Sequence, residues 1–259
     1  MTPRRLLRVA AAALLLLSGC AAAPREPAPL LVASDLDNRP FAWLDASGRA
    51  QGRDVEMMQA LAGRLGRPLV WVQMPFDELL AAAQRGGVDA VCATLGITAE
   101  RERLVDFSRP YFRTELACVT LARPGAPQGV ADLAGRRVGA GLGTTSERAL
   151  ALRAPAARAV LENKAGLPAL QRLRSGDVDA LVMDGPAADA LVASAPGELR
   201  RLPEDLGAEL YALALPQGSA LLADLNRALL ELEQDGTLAR LDAAHGLRPS
   251  AGSSGSAGR

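Results

Sequence analysis

Aromatic residues are scarce in this chain of 259 residues: four Phe, two Tyr and two Trp, 3% in all. That leaves few platforms on which a base could stack, and 29 basic and 29 acidic side chains cancel to a formal charge of zero, with no basic cluster beyond the N-terminus. Both features argue against nucleic acid as a partner and in favour of a small molecule. The one histidine, His245, stands near the C-terminal end, so histidine-based acid–base or metal chemistry has little support, and no metal or cofactor is expected. The apolar run at 9–17 is too short to cross a bilayer, which takes ~20 residues.

What the first residues do contain is an export address. Arg4, Arg5 and Arg8 precede the apolar run, and Leu17-Ser18-Gly19-Cys20 fits the bacterial lipobox, in which small residues precede a cysteine that becomes the lipidated start of the mature chain. An ordinary cleaved signal is the alternative. Residues 1–20 are thus expected to be a lipoprotein signal peptide with Cys20 as the lipidation site, anchoring the protein to a membrane in the periplasm or at the cell surface. Residues 21–29, rich in Pro and Ala, make a semi-extended tether. Nearly half of the chain is apolar, enough for a substantial core in one large domain or two smaller ones.

The stretch 88–112 organises the rest. A short apolar run at 88–93 reads as a buried strand that opens into a small-residue loop, where Thr94, Gly96 and Thr98 leave backbone N–H groups accessible. Thr98 can cap a helical turn at 99–101, gathering donors suited to an anion, and Arg101 can bring its planar fork to the same place. The competing reading is a solvated arginine in the alternating charges Glu100-Arg101-Glu102-Arg103.

The wording ITAERERLVDFSRPYF resembles the signature of the bacterial family 3 extracellular solute-binding proteins, the polar amino-acid receptors of ABC importers. The resemblance covers 30–247. It implies an α/β, periplasmic-binding-protein fold of type II, with two α/β lobes joined by two crossing strands, and it gives Arg101 the ligand's α-carboxylate. Gly96 stands where the family has a hydroxyl residue, which leaves only the backbone N–H there. Asp35 to Phe41 resembles the first-strand motif, with Asn38 in place of a stacking aromatic; Arg39 beside it could favour an acidic group. Phe76 is either the aromatic against the ligand or a staple for the helix it begins. In the second half Thr144 and Glu147 have the offset of a capping box; the family's Gly-[Ser/Thr]-Thr element gives Thr144 and Thr145 the ligand carboxylate as well. Asp184, at a strand end before Gly185-Pro186, either caps the next helix or, as the resemblance implies, holds the ligand's ammonium. Asp89 and Asp179, near strand starts in two similar Val-Asp-Ala segments, are read as structural.

Elements expected from periodicity include strands at 30–34, 69–73 and 137–141. A helix carries Val55, Met58, Leu61 and Leu65 on one face and stops at Gly66, and further helices are expected at 78–85, 167–174, 220–234 and 238–244. Lobe 1 is expected over 30–121 plus 216–248, lobe 2 over 122–209, with crossings at 115–121 and at a return hinge strand 210–215, and a disordered tail at 249–259. Cys92 and Cys118 are either small buried hydrophobes or a disulfide. The implied function is a monomeric extracytoplasmic receptor that closes on a small zwitterionic or carboxylate ligand, a polar amino acid in the family, and delivers it to an inner-membrane ABC permease. The alternatives are a periplasmic dehydratase or lyase on the same fold, with Glu115 or Asp35 as its acid, and a receptor that presents ligand to a membrane sensor.

Overall fold

The computed structural model describes residues 27–162 and 169–247. The signal peptide, Cys20, most of the tether, the tail 249–259 and the start of the helix expected at 167–174 lie outside the described residues. Short apolar runs alternating with amphipathic helices build two lobes, each with its own sheet. The first sheet has the order Leu69–Gln73, Leu30–Ser34, Ala90–Val91, Ala214–Leu215, Asp106–Phe107. Its first three strands are parallel, with Leu30 opposite Leu69 and Val32 opposite Ala90, and Ala214–Leu215 runs antiparallel to both its neighbours. In the second sheet Arg158–Glu162, Arg137–Gly141 and Ala180–Asp184 are parallel, and the long strand Phe112–Leu121 lies antiparallel to Ala180–Asp184, Leu199–Arg201 and Gly207–Tyr211. A small meander of Asp37–Asn38, Ala42–Leu44 and Ala50–Gln51 flanks the first lobe.

The helix Arg53–Leu65 turns Val55, Met58 and Leu61 inward, as the spacing predicts, and ends on Gly66 in the left-handed conformation. Met58 and Leu61 meet Leu225, Ala228, Leu229 and Leu232 of helix Leu221–Gln234 in one core, where each large apolar side chain contributes about 1.5–3 kcal/mol, and Val55 packs with Leu36 and Ala42. The helix starts where the chain passes so close to itself that a Cβ on Gly52 would lie 2.6 Å from the Phe41 carbonyl carbon, and at φ 122° only glycine is at ease. Next to it Arg53 is fully buried. Its guanidinium donates to Asp54 at 3.1 Å, Asp242 at 2.8 Å and the Tyr111 carbonyl at 3.2 Å, while Tyr111 donates to Asp54 at 2.7 Å. A charge this deep is tolerable only with such partners.

The two Val-Asp-Ala segments do the same work in each lobe. Asp89 accepts from the Leu31 amide at 2.9 Å and Asp179 from the Arg137 amide at 2.8 Å, each carboxylate fastening the neighbouring strand at its start. Their side chains are structural.

Three expectations differ from the structure. The strand at 112–121 belongs to the second sheet and not to the first lobe, so the first crossing is the short segment Ser108 to Tyr111, ahead of the Pro/Gly cluster at 123–127. The run 210–215 is not one strand: Leu210 and Tyr211 pair with Arg113 and Phe112 in the second sheet, Ala214 pairs with Val91 and Phe107 in the first, and Ala212-Leu213 spans the gap. Tyr211 to Leu215 are all buried and Leu210 is apolar although exposed, so hydropathy carries no mark of the change of sheet. Finally, Cys92 and Cys118 are free thiols buried in the cores of different lobes, which rules out a bridge between them.

The two crossings are bonded to each other. Tyr111 N donates to the Tyr211 carbonyl and Ser108 N to that of Leu213, both at 2.9 Å, and Ser108 Oγ accepts from Leu213 N at 3.0 Å. Four of the chain's eight aromatic residues gather here: Phe41, Phe112 and Tyr211 pack with centroids 5.1–5.8 Å apart, and Tyr111 lies beside them over Arg53. Scarce rings are concentrated where the lobes join.

Candidate functional site

Strand ends of both lobes converge on a cavity of about 180 Å³ at the lobe junction, lined by Asn38, Phe76, Thr94, Gly96 and Arg101 from one side and by Thr144, Thr145 and Asp184 from the other. Ligand sites in α/β proteins form at such places. Asp35, expected from its first-strand motif to belong to the site, is outside this lining. It lies in the wall of a larger, open pocket of about 1040 Å³, with Phe76 common to both and Arg39 stacked over Trp43 at 4.6 Å.

The loop after Ala90–Val91 is built as the small residues suggest. Thr94 takes a left-handed φ of 49°, an unfavourable conformation for a threonine, and its Oγ1 accepts from Asn38 Nδ2 at 2.8 Å. Asn38 therefore braces the loop from the neighbouring meander. Thr98 Oγ1 accepts from Arg101 N at 3.2 Å and starts the 3₁₀ turn Arg101–Arg103. The Arg101 fork donates to the Gly96 carbonyl at 2.7 Å in its own lobe and to the Gly143 carbonyl at 3.0 Å in the other. It is not a solvated charge: burial pulls its pKa down, and the nearby Glu209 carboxyl acts the other way.

In the opposite wall Thr144 works as a cap. Its hydroxyl donates to the Gly141 carbonyl at 2.6 Å and accepts from Glu147 N at 3.4 Å, while Glu147 reaches Gly143 N at 2.7 Å and not the Thr144 amide that a capping box would use. Thr145 points its hydroxyl to Glu209. Asp184 precedes helix Gly185–Ser194 without a side-chain capping bond, so its carboxylate faces the cavity.

Glu209 is the residue that the sequence reading misses. It lies on Gly207–Tyr211 opposite Thr114, is 5% exposed, and lines the cavity. Its Oε1 accepts from Thr145 Oγ1, and its Oε2 is buried with no hydrogen-bond partner. Burial, and then the Asp184 carboxylate beside it, push its pKa up to about 9. Tyr211 Oη is a second buried polar atom without a partner, its pKa raised well above the usual value by burial and by the same two carboxyls. Backbone bonds from Ile97 N to the Leu210 carbonyl at 3.0 Å and from Ala212 N to that of Leu95 at 3.2 Å set the return strand against the Gly96 loop. The available signal was Gly96 itself: a side chain missing from a close-packed site means that another group fills the space.

Glu115 is outside this cavity and accepts from Arg201 at 2.6 Å. Among the described residues no group of three or more His, Cys, Asp or Glu is placed to hold a metal ion, and no helix is long and apolar enough to cross a membrane.

Known proteins resemble this chain in sequence and in fold. The L-cystine-binding protein TcyJ of Escherichia coli K12 is 32% identical over 228 residues, 84% of this chain and 82% of that protein. Among solved structures, an ancestral arginine-binding protein bound to arginine superposes with a TM-score of 0.77 at 33% identity, covering 85% of this chain and 98% of that one. The ancestral amino acid-binding protein AncCDT-1, a precursor of cyclohexadienyl dehydratase, superposes with a TM-score of 0.74 at 32% identity, covering 83% and 94%. Residues 30–247, essentially both lobes and their crossings, match one family in full, and the chain belongs to the bacterial extracellular solute-binding proteins, family 3.

Proposed function

We propose that this protein captures a small amino acid between its lobes and presents it to an ABC permease of the inner membrane. The observation that carries the reading is the meeting of Arg101 from one lobe and Asp184 from the other in a single cavity. A guanidinium suits a carboxylate by its paired donors, and a carboxylate suits an ammonium, so a zwitterion satisfies both at once. Thr145 and the amides of the Gly96 and Gly143 loops add polar contacts, Thr94 and Asn38 hold the loop, and Phe76 supplies an apolar wall between this cavity and the open pocket that includes Asp35. Because contacts come from both lobes, the ligand favours the closed arrangement over any open one, and closure is the signal that a permease reads.

The relatives named above bind cystine and arginine, which supports an amino acid over a simple carboxylate. The dehydratase alternative loses Glu115 to its ion pair with Arg201, and AncCDT-1, a precursor of cyclohexadienyl dehydratase, is itself an amino acid-binding protein. The receptor acts as a monomer outside the cytoplasm, tethered by lipid on Cys20. Calorimetric titration with L-arginine, L-histidine and L-cystine tests the binding; heat from none of them would overturn the amino-acid reading. Metabolic labelling with palmitate tests the anchor, with Cys20→Ala expected to lose the label.

A further inference from the structure

We propose that Glu209 is a ligand-binding residue: together with Asp184 it forms a two-carboxyl cradle for the ligand's ammonium group, and the absence of a side chain at Gly96 is what admits it. This rests on the zwitterion reading above and narrows it, since a cradle of two carboxyls selects an ammonium-bearing ligand against hydroxy or plain carboxylic acids.

Three observations converge on it. A Cβ at position 96 would overlap Glu209 Oε1 and come within 2.8 Å of Thr145 Cγ2, so a hydroxyl residue at 96 and the carboxyl of Glu209 compete for one space. Glu209 Oε2, in a side chain 5% exposed, lines the cavity and is left without a partner. As a carboxylate oxygen it would be a costly buried acceptor, a cost met by a proton before the ligand binds and by an ammonium donor afterwards. Asp184 lies close enough to act on Glu209 electrostatically, and Tyr211 Oη, also orphaned, feels both. An ammonium group in the cavity carries three donors and one positive charge, and the two carboxyls of the lining, Asp184 and Glu209, are acceptors for it.

The charges facing Glu209 dictate a proton step. Asp184 from the strand end opposes ionisation, Arg101 from the loop favours it, Thr145 donates to one oxygen, and the phenol of Tyr211 on its own strand stays neutral. Burial and the Asp184 carboxylate outweigh the Arg101 guanidinium in the same cavity, so Glu209 holds a proton before the ligand binds. When the ammonium arrives, the O–H bond of Glu209 breaks, its electron pair stays on the carboxylate, and the proton leaves to the buffer. Binding and proton release are linked.

Titration calorimetry with L-arginine, L-histidine and L-cystine, each in phosphate and in Tris at pH 7, reads this directly. For the wild type the two buffers are expected to give heats that differ by the ionisation of up to about one proton per bound molecule. Glu209→Gln is expected to bind roughly 10- to 100-fold more weakly, with heats that no longer depend on the buffer. Gly96→Ala, which displaces the carboxyl without removing it, is expected to weaken binding as well, and the double variant to be no worse than the weaker single one. Melting curves check that each variant folds. Wild-type affinity and an unchanged buffer dependence in Glu209→Gln overturn this proposal alone. Absence of heat from all three amino acids with the wild type overturns both it and the zwitterion reading.

Discussion

The carboxyl of Glu209 occupies the volume that a side chain at position 96 would fill. The two residues are separated by more than a hundred positions, yet they meet because the return crossing bonds to the Gly96 loop through Ile97 and Ala212. The space left by the missing side chain at position 96 is taken by a polar group from the other lobe's return strand.

Stability should fall as pH rises. The Glu209 carboxyl has a folded pKa of about 9 against an ordinary value of 4.5, so the folded chain holds a proton that the unfolded chain gives up. Its contribution is fully present below pH 4.5 and is lost progressively up to about pH 9. The slope is at most about 1.4 kcal/mol per pH unit for one proton. Urea unfolding of the ligand-free protein between pH 5 and 9 is expected to show this decline in the wild type and a flatter line in Glu209→Gln; identical slopes would refute it.

Arg101→Ala and Asp184→Asn should separate binding from folding. Each removes a charge-assisted contact of about 1.5–3 kcal/mol to the ligand. The groups that Arg101 leaves behind are loop carbonyls on Gly96 and Gly143. Affinity for whichever of the three amino acids binds is expected to drop at least about tenfold, with a melting transition close to that of the wild type. Retained affinity in either variant would remove that residue from the site.

Arg53→Met should do the reverse. The substitution strands Asp54, which is fully buried and whose pKa burial already raises against the pull of Arg53. Breaking a buried ion pair from one side costs about 3–5 kcal/mol. Denaturant midpoints measure it, and a loss under about 1 kcal/mol would show that the Arg53–Asp54–Asp242 cluster contributes little.

Both internal thiols should be inert until the protein unfolds. Burial raises the Cys92 pKa well above the usual range and pushes Cys118 up to about 12, so neither offers a thiolate at neutral pH. With a chain that starts at Ala21, iodoacetamide is expected to add nothing to the native protein and two groups after denaturation without reductant. A mass lighter by two hydrogens before reduction would instead reveal a disulfide.

Local patterns predict much of this molecule and none of its cross-chain partnerships. The strand Leu30–Ser34, the helix over Met58 and Leu61, the Gly66 stop and the Thr98 turn follow from periodicity and capping, which act over a few residues. Arg101 and Asp184 were readable because a signature marks the one and a strand end before Gly-Pro the other. The sheet to which Phe112–Leu121 belongs was not readable, since an antiparallel strand buried on both faces has the same composition in either lobe. Glu209 sits in the plain segment GAELY with no motif around it, and its burial is decided by Gly96, Thr145 and Asp184, which no window along the chain contains.

One strand of the first sheet comes from the far end of the chain: Ala214–Leu215 fills the place between Ala90–Val91 and Asp106–Phe107. During synthesis the earlier strands emerge with a gap between them and must wait for the second lobe to be made before that gap is filled. The half that begins first is finished last. The N-terminal half thus stays incomplete until nearly the whole length of the chain is available.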